Sequence, residues 1–297
     1  MMKNAALLQT QIAKNLGLCP QDIEIGTAVK NNGVEKATVW IRNFSGKNVS
    51  PIIYIDDLLS HWNPDDEKSI GDIASAISMR AERLRNGEAA FPVIHMDEET
   101  ILSHCFLQVI GTEKNEPRLA QMPHRRFADL AAIVRVEVES NKTGLSSTIV
   151  THDMVQHYLL DENKLLEVAK QNTVSKSHFE CFPLDAVMKN LCFGTEITPV
   201  MDMGPGLYCL TNRSKMNGAS ILAIPELMHQ VLQNASEPAY IIPSSIHEVL
   251  VFVGEMNVSD LRQMVCDVNA TQVPPEDILS NNVYVFDHEA MQLKIAE

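Results

Sequence analysis

Clustered basic charge is absent from this 297-residue sequence. It holds 24 Lys and Arg against 38 Asp and Glu, a formal net charge of −14. A nucleic-acid footprint needs concentrated Lys and Arg, so that class of partner is excluded. No apolar run approaches the roughly 18 residues of a membrane span. The opening "MMKNAALLQTQIAKNLG" lacks both a sustained apolar stretch and a small-residue cleavage site, which reads as an amphipathic helix in a cytoplasmic protein rather than a signal peptide. Neither GxGxxG nor a P-loop GK[ST] occurs, and no cofactor is expected. The six cysteines at 19, 105, 181, 192, 209 and 266 form no CxxC pair, a spacing that suits buried reduced thiols better than a disulfide framework or a zinc ribbon. There is no repeat period and no low-complexity tract.

Forty-five per cent of the residues are hydrophobic, enough for a substantial core in one large domain or two ordinary ones. Ala5, Leu8, Ile12 and Leu16 make one stripe of the first helix. In "DIEIGTAVKNNGVEKATVWIR", Ile23, Ile25, Thr27 and Val29 alternate, as do Glu35, Ala37, Val39 and Ile41. Asn32-Gly33 between them supplies the positive φ angles of a type I′ hairpin turn. "SPIIYIDDLLSHW" reads as a strand turning helical near Asp56. The helix of "SIGDIASAISMRAERLRNG" is capped by Ser69, faces Ile70, Ile73, Ile77 and Leu84 inward and stops at Gly87. A further helix is expected over residues 98–108.

The polar, two-proline segment "TEKNEPRLAQMPH" is the best internal boundary. It gives an N-terminal hairpin-and-helix part at 1–115 and a C-terminal α+β domain at 116–297. Beyond it, "FADLAAIVRVEVE" and "LSSTIV" pair as strands. "THDMVQHYLLDENKLLEVAKQNT" makes two helices, the first capped by Thr151, and "FPLDAVMKNL" a third. "GLYCLTN", "ASILAI", "AYIIP", "IHEVLVFV" and "NNVYVFDHE" read as strands. Helices "PELMHQVLQNA" and "VSDLRQMVCDVNATQV" interrupt them, the second with Leu261, Met264, Val265 and Val268 inward. Direct strand-to-strand joins predict an antiparallel α+β sheet with helices packed on one face.

"VKNNGV" with "NVSPIIYIDDLL", "PHRRFADLAAI", "LTNRSKMNGAS", "YIIPSSIHEVLVFV" and "VNATQVPPEDILSNNVYVFD" together resemble the DUF5688 family of bacterial proteins, in order from about residue 22 to 287. The resemblance implies a soluble bacterial protein and marks the motif residues as the place to look for a site. It carries over no catalytic residue and no cofactor.

Ser244, Ser245, His247 and Glu248 hold the side chains of a hydrolytic triad and half of a zinc-protease motif. Val251 stands where HExxH needs its second histidine, and alternation along a strand sends His247 and Glu248 to opposite faces. The loop also lacks the glycine of a nucleophile elbow. The ordinary structural reading gives Pro243 as a strand breaker and the two serines as acceptors for turn amides. His152 and His157, five apart on a helix, splay too widely to share a metal, and no metal site is expected. Arg125 and Arg126 form a basic island suited to a carboxylate or phosphate, unless the chain's own carboxylates take them. Thr211 and Asn212 begin the loop that ends at Gly218, and Asn269 sits late in its helix. Two functions follow: a non-catalytic binding or adaptor protein with a protein partner, or an enzyme or sensor for a small anionic ligand. The second would gather the Pro243–His247 turn, the Thr211–Gly218 loop and Asn269, with the two arginines as anion contacts.

Overall fold

The computed structural model describes residues 4–42, 52–60, 62, 63, 65–85, 96–141 and 144–297. Its contacts divide the chain into two compact units, Met1–His95 and Met96–Glu297. This division falls upstream of the expected boundary at 115, because the stretch from Cys105 pairs along its whole length with a strand beyond residue 130. The polar segment 112–124 is therefore a connection within a sheet.

In the first unit, α1 (Ala5–Leu16) buries Leu8, Ile12 and Leu16 as its periodicity requires. Strands β1 (Ile23–Val29) and β2 (Glu35–Ile41) pair antiparallel from Ile23 opposite Ile41 to Val29 opposite Glu35. Asn32 and Gly33 adopt φ of 60° and 70°, the double positive turn that Asn-Gly favours. β3 (Ile52–Tyr54) adds beside β2, followed by α2 (Asp56–Leu59). Helix α3 (Glu67–Arg85) starts two residues ahead of Ser69. Its entry is held by the Asp66 carboxylate, which accepts from the Lys68 amide, while the Ser69 hydroxyl accepts from the Asn63 amide. Ile70, Ile73 and Ile77 complete a core with the α1 stripe, Val39 and Ile41. The expected stop at Gly87 lies outside the described residues.

The second unit opens with α4 (Glu98–His104), capped by Asp97. That helix ends four residues short of expectation, where buried Cys105, Leu107, Val109 and Ile110 continue as β4 (Cys105–Gly111). After α5 (Glu116–Leu119), the basic "HRRF" forms β5 (His124–Phe127), a strand that its charged composition does not announce. It hairpins to the long β6 (Leu130–Asn141), which pairs with β4, β5 and β7 (Gly144–Ile149). Helices α6 (His152–His157) and α7 (Glu162–Ser177) follow, capped by Thr151 and Asp161. The remaining strands form a six-stranded antiparallel sheet. They are β8 (Phe179–Pro183), β9 (Gly206–Asn212), β10 (Ala239–Ile242), β11 (Val249–Val253), β12 (Tyr284–Asp287) and β13 (Gln292–Ile295), in the order β13-β12-β10-β11-β9-β8. Three helices punctuate it: α8 (Leu184–Phe193), α9 (Pro225–Leu232) and α10 (Val258–Thr271).

Alternation on these strands sets the layers. Leu107, Val109, Leu130, Ala132 and Val134 of the four-stranded sheet share one core with Leu210, Ile241, Val249, Val251 and Tyr284 of the six-stranded sheet. Leu165 and Ala169 of α7 and Met228 of α9 join it. The opposite residues Tyr240, Ile242, Phe252 and Val285 pack under Leu261 and Val265 of α10. Both faces of the six-stranded sheet are thus covered, by α10 on one and by the four-stranded sheet with α7 and α9 on the other, because its central strands are apolar on both. Met264 and Val268 of α10 are exposed, contrary to their expected inward place. "GASILA" is not a strand but a buried 3-10 helix over Gly218–Ala223. The left-handed Asn217 before it and Pro225 after it leave no room for an extended run.

Candidate functional site

Strand β11 begins at Val249, so Ser244–Glu248 form a turn ahead of it rather than its first residues. The Ser245 hydroxyl accepts from the backbone amides of His247, at 3.0 Å, and Glu248, at 3.3 Å. This is the turn-closing role its position after Pro243 predicts. Both serine hydroxyls then donate to Glu248 Oε1, at 3.3 Å from Ser244 and 3.0 Å from Ser245. Glu248 serves the turn it follows.

His247 points elsewhere. Its Nδ1 accepts from the Asn217 amide at 3.3 Å, and its Nε2 lies 3.6 Å from Asp277 Oδ1. Neither Ser244 nor Ser245 reaches the ring with its hydroxyl, so the histidine and the two serines do not form a nucleophile-and-base pair. Partial burial raises the Asp277 carboxyl above its ordinary range, with Glu276 and Glu248 adding to the rise and His247 opposing it.

The Thr211–Gly218 loop does meet this turn. Thr211 Oγ1 donates to the His247 carbonyl oxygen at 2.9 Å, and the Gly218 amide donates to the same oxygen at 3.0 Å. A Cβ on Gly218 would overlap that carbonyl oxygen and lie 2.6 Å from Thr211 Oγ1. Only glycine permits this approach. Asn212 folds the loop onto itself, accepting from the Met216 amide at 3.2 Å and donating to the Met216 carbonyl at 2.7 Å. The Ile246 amide donates to the Asp277 carbonyl at 2.9 Å, adding the segment after α10 as a third strand of the clasp.

Asn269 is occupied differently. Buried in α10, its amide donates to the Ser280 carbonyl at 3.0 Å and to Asn281 Oδ1 at 2.9 Å. Beyond it, Asp129 in the β5–β6 turn accepts from Tyr284 at 2.7 Å, Ser280 at 2.7 Å and Asn282 at 3.1 Å. This cross-tie between the two sheets has no local signal in sequence, since its halves stand more than 150 residues apart.

Arg125 and Arg126 line a separate, mainly apolar cavity of about 190 Å³, with Phe127, Lys170 and Leu293. Neighbours on a strand diverge. Arg125 pairs with Glu167 of α7 at 2.8 Å, while Arg126 makes a two-pronged contact with Glu116 of α5 at 2.7 and 2.8 Å. The ordinary reading of this basic island, pairing with the chain's own carboxylates, describes both. Arg126 holds the Glu116 carboxyl below its usual range. His152 likewise contacts Glu162 at 2.7 Å. Among the described residues no three His, Cys, Asp or Glu side chains gather as a metal site, and no helix is long and apolar enough to cross a membrane. All six thiols are free. Cys105, Cys181 and Cys209 are buried, but Cys19 and Cys192 are exposed, which corrects the expectation that all are interior.

Fold and geometry together define an α+β protein with antiparallel sheets, whose most reactive-looking turn is clasped by its own chain. The chain belongs to the family of unknown function DUF5688, whose model matches residues 4–288. No curated protein and no solved structure matches it.

Proposed function

We propose that this is a non-catalytic binding protein that engages a protein partner through α8. One observation carries the reading. Leu184, Val187, Met188 and Leu191 form the apolar stripe of that helix, yet no residue of α8 is buried. Leu191 is 72% exposed, Phe193 80% and, just beyond, Met201 76%. Leu184 and Val187 are half-buried, so the open part of the helix is Met188, Leu191 and Phe193. Single exposed apolar residues are ordinary on a protein surface, but three on one short helix are the mark of a docking element.

The chemistry of the stripe's surroundings favours a heterologous occupant. Lys189 of α8 is neutralised by Asp185 at 3.0 Å, while Glu196 and Asp202 flank the stripe in exposed positions. A second copy would bring the same acidic flanks and another −14 chain against it. An apolar groove with a basic rim suits the stripe better. The engagement of Ser244, Ser245 and His247 in turn contacts supports a binding role over catalysis at that turn. The alternative, a small anionic ligand, draws more support from the cavity behind Asn212 and Asn217 than from the Pro243–His247 turn.

Substituting Leu191→Ser with Phe193→Ser tests the reading. Fully burying such side chains stabilises a complex by about 1.5–3 kcal/mol each, so partner affinity should fall at least a hundredfold with the melting temperature unchanged. The wild-type protein should run as a monomer at micromolar concentration. Self-association that the double variant abolishes would overturn the proposed partner class, and partner binding indifferent to both substitutions would overturn the docking element.

A further inference from the structure

Behind the Thr211–Gly218 loop, along the free edge of β4 and against α7, lies a second cavity of about 210 Å³. Its lining is more polar than that of the arginine cavity. Ser220 is only 1% exposed, and its hydroxyl has no hydrogen-bond partner among the described residues. Native interiors rarely leave such a group unpaired. Asn217 also lines the cavity at 8% exposure, and its side-chain amide makes no hydrogen bond among the described residues. The buried, unpaired Ser220 hydroxyl and the Asn217 amide line one space.

The charged and half-satisfied groups around them divide by sign. Lys176 donates to the Ser103 carbonyl at 2.7 Å and has no carboxylate partner among the described residues. An ammonium has three donors, so two remain. In the arginine cavity, by contrast, Arg125, Arg126 and Lys170 are each paired with a glutamate. Asn172 spends its NH2 on the Leu102 and Cys105 carbonyls, both at 2.9 Å, and its own carbonyl oxygen accepts no hydrogen bond among the described residues. Glu137 lines the same cavity, with no cation against it among the described residues.

We propose that this cavity binds a small zwitterion of the α-amino acid class. Lys176 with the Ser220 hydroxyl takes the carboxylate, and Asn172 with Glu137 takes the ammonium. Asn217 can serve either group, since its amide both donates and accepts. Size agrees: an apolar cavity of about 150 Å³ admits benzene, with six non-hydrogen atoms, so this one suits a ligand of about eight. The site requires no catalysis and is independent of α8.

Calorimetric titration of the full-length protein with glycine, L-alanine, L-serine and the other standard amino acids tests the proposal, with N-acetyl-L-alanine and L-alaninamide as one-charge controls. At least one zwitterion should bind, and its acetylated and amidated forms should bind at least tenfold more weakly. Lys176→Met should weaken binding about tenfold or more. Ser220→Ala should weaken it similarly while leaving the ligand-free melting temperature unchanged or higher, because the hydroxyl it removes is unpaired. A merely structural serine would lower that temperature instead. No binding by any amino acid at 10 mM, or equal binding of the acetylated form, would overturn the proposal.

Discussion

Gly218→Ala is the sharpest test of the clasp between the 211–218 loop and the His247 turn. The added methyl would overlap the His247 carbonyl oxygen and crowd Thr211 Oγ1 at 2.6 Å. Neither neighbour is the free end of a flexible side chain. Relief requires the loop to withdraw, which breaks the Gly218 amide bond and the Thr211 hydroxyl bond to the same carbonyl. Each is worth about 1 kcal/mol, and forcing a methyl into a filled site costs about 1–3 kcal/mol more. The sum, about 3–5 kcal/mol, is a large part of the roughly 5–15 kcal/mol that holds a typical domain. Urea unfolding followed by circular dichroism would register it, and the melting temperature should fall by roughly 10 °C. Thr211→Val, which keeps the shape and removes only the hydroxyl, should cost about 1–2 kcal/mol. A Gly218→Ala protein within 1 kcal/mol of wild type would refute the reasoning, since the loop would then have no need of its close approach.

Three further outcomes are expected. Tyr284→Phe removes the phenol that donates to Asp129 at 2.7 Å from a fully buried ring; the loss should be about 2 kcal/mol, and an unchanged urea midpoint would contradict the cross-tie. Asp277 has a raised carboxyl pKa, so the folded state holds its proton more readily than the unfolded chain. Its contribution is therefore full below the ordinary carboxylate range and lost as pH rises through the folded value. Asp277→Asn should melt higher than wild type at pH 7, with the gap closing toward about pH 4; a variant less stable at neutral pH would sink this assignment. Burial pushes the thiols of Cys105, Cys181 and Cys209 to about 11, 12 and 11. Native protein should accordingly yield Cys19 and Cys192 to an alkylating reagent well before these three, as peptide mass spectrometry would read.

Much of the local structure was legible in the sequence because local physics decides it. Asn32-Gly33 specifies its turn, Leu8, Ile12 and Leu16 specify a helix face, and Thr151 caps the helix that follows it. Errors arose where distant contacts overrode local pattern. "ASILAI" has the β-branched look of a strand, but its neighbours hold it as a 3-10 helix against β4. Cys105 looked like the last turn of a helix until β6, with Ile133, Val134 and Val136, offered a partner. "HRRF" showed only charge, and its strand pairing lay in Leu130–Ile133.

The same distinction governs the candidate site. Arg125 and Arg126 were legible only as a basic island that the chain's own carboxylates could take, whereas the turn role of Ser245 follows from its place after Pro243. Asp277, by contrast, reaches His247 through a loop that leaves α10 after two prolines, and no spacing in the sequence reports that. Gly218 read as turn chemistry, whereas its necessity comes from a carbonyl 29 residues away. The exposure of Met188 and Leu191 on α8 was equally hidden, because the helix has the periodicity of an ordinary buried one. Only the three-dimensional arrangement leaves it uncovered.

The proposed binding role of α8 is tested most directly by a photoreactive amino acid placed at Leu191 and, as a control, at exposed Gln263 of α10, in cells of the native host. The account predicts a discrete heterologous adduct from position 191, absent from position 263 and lost when Phe193→Ser is added. An adduct with a second copy of the chain, or the same products from both positions, would contradict it.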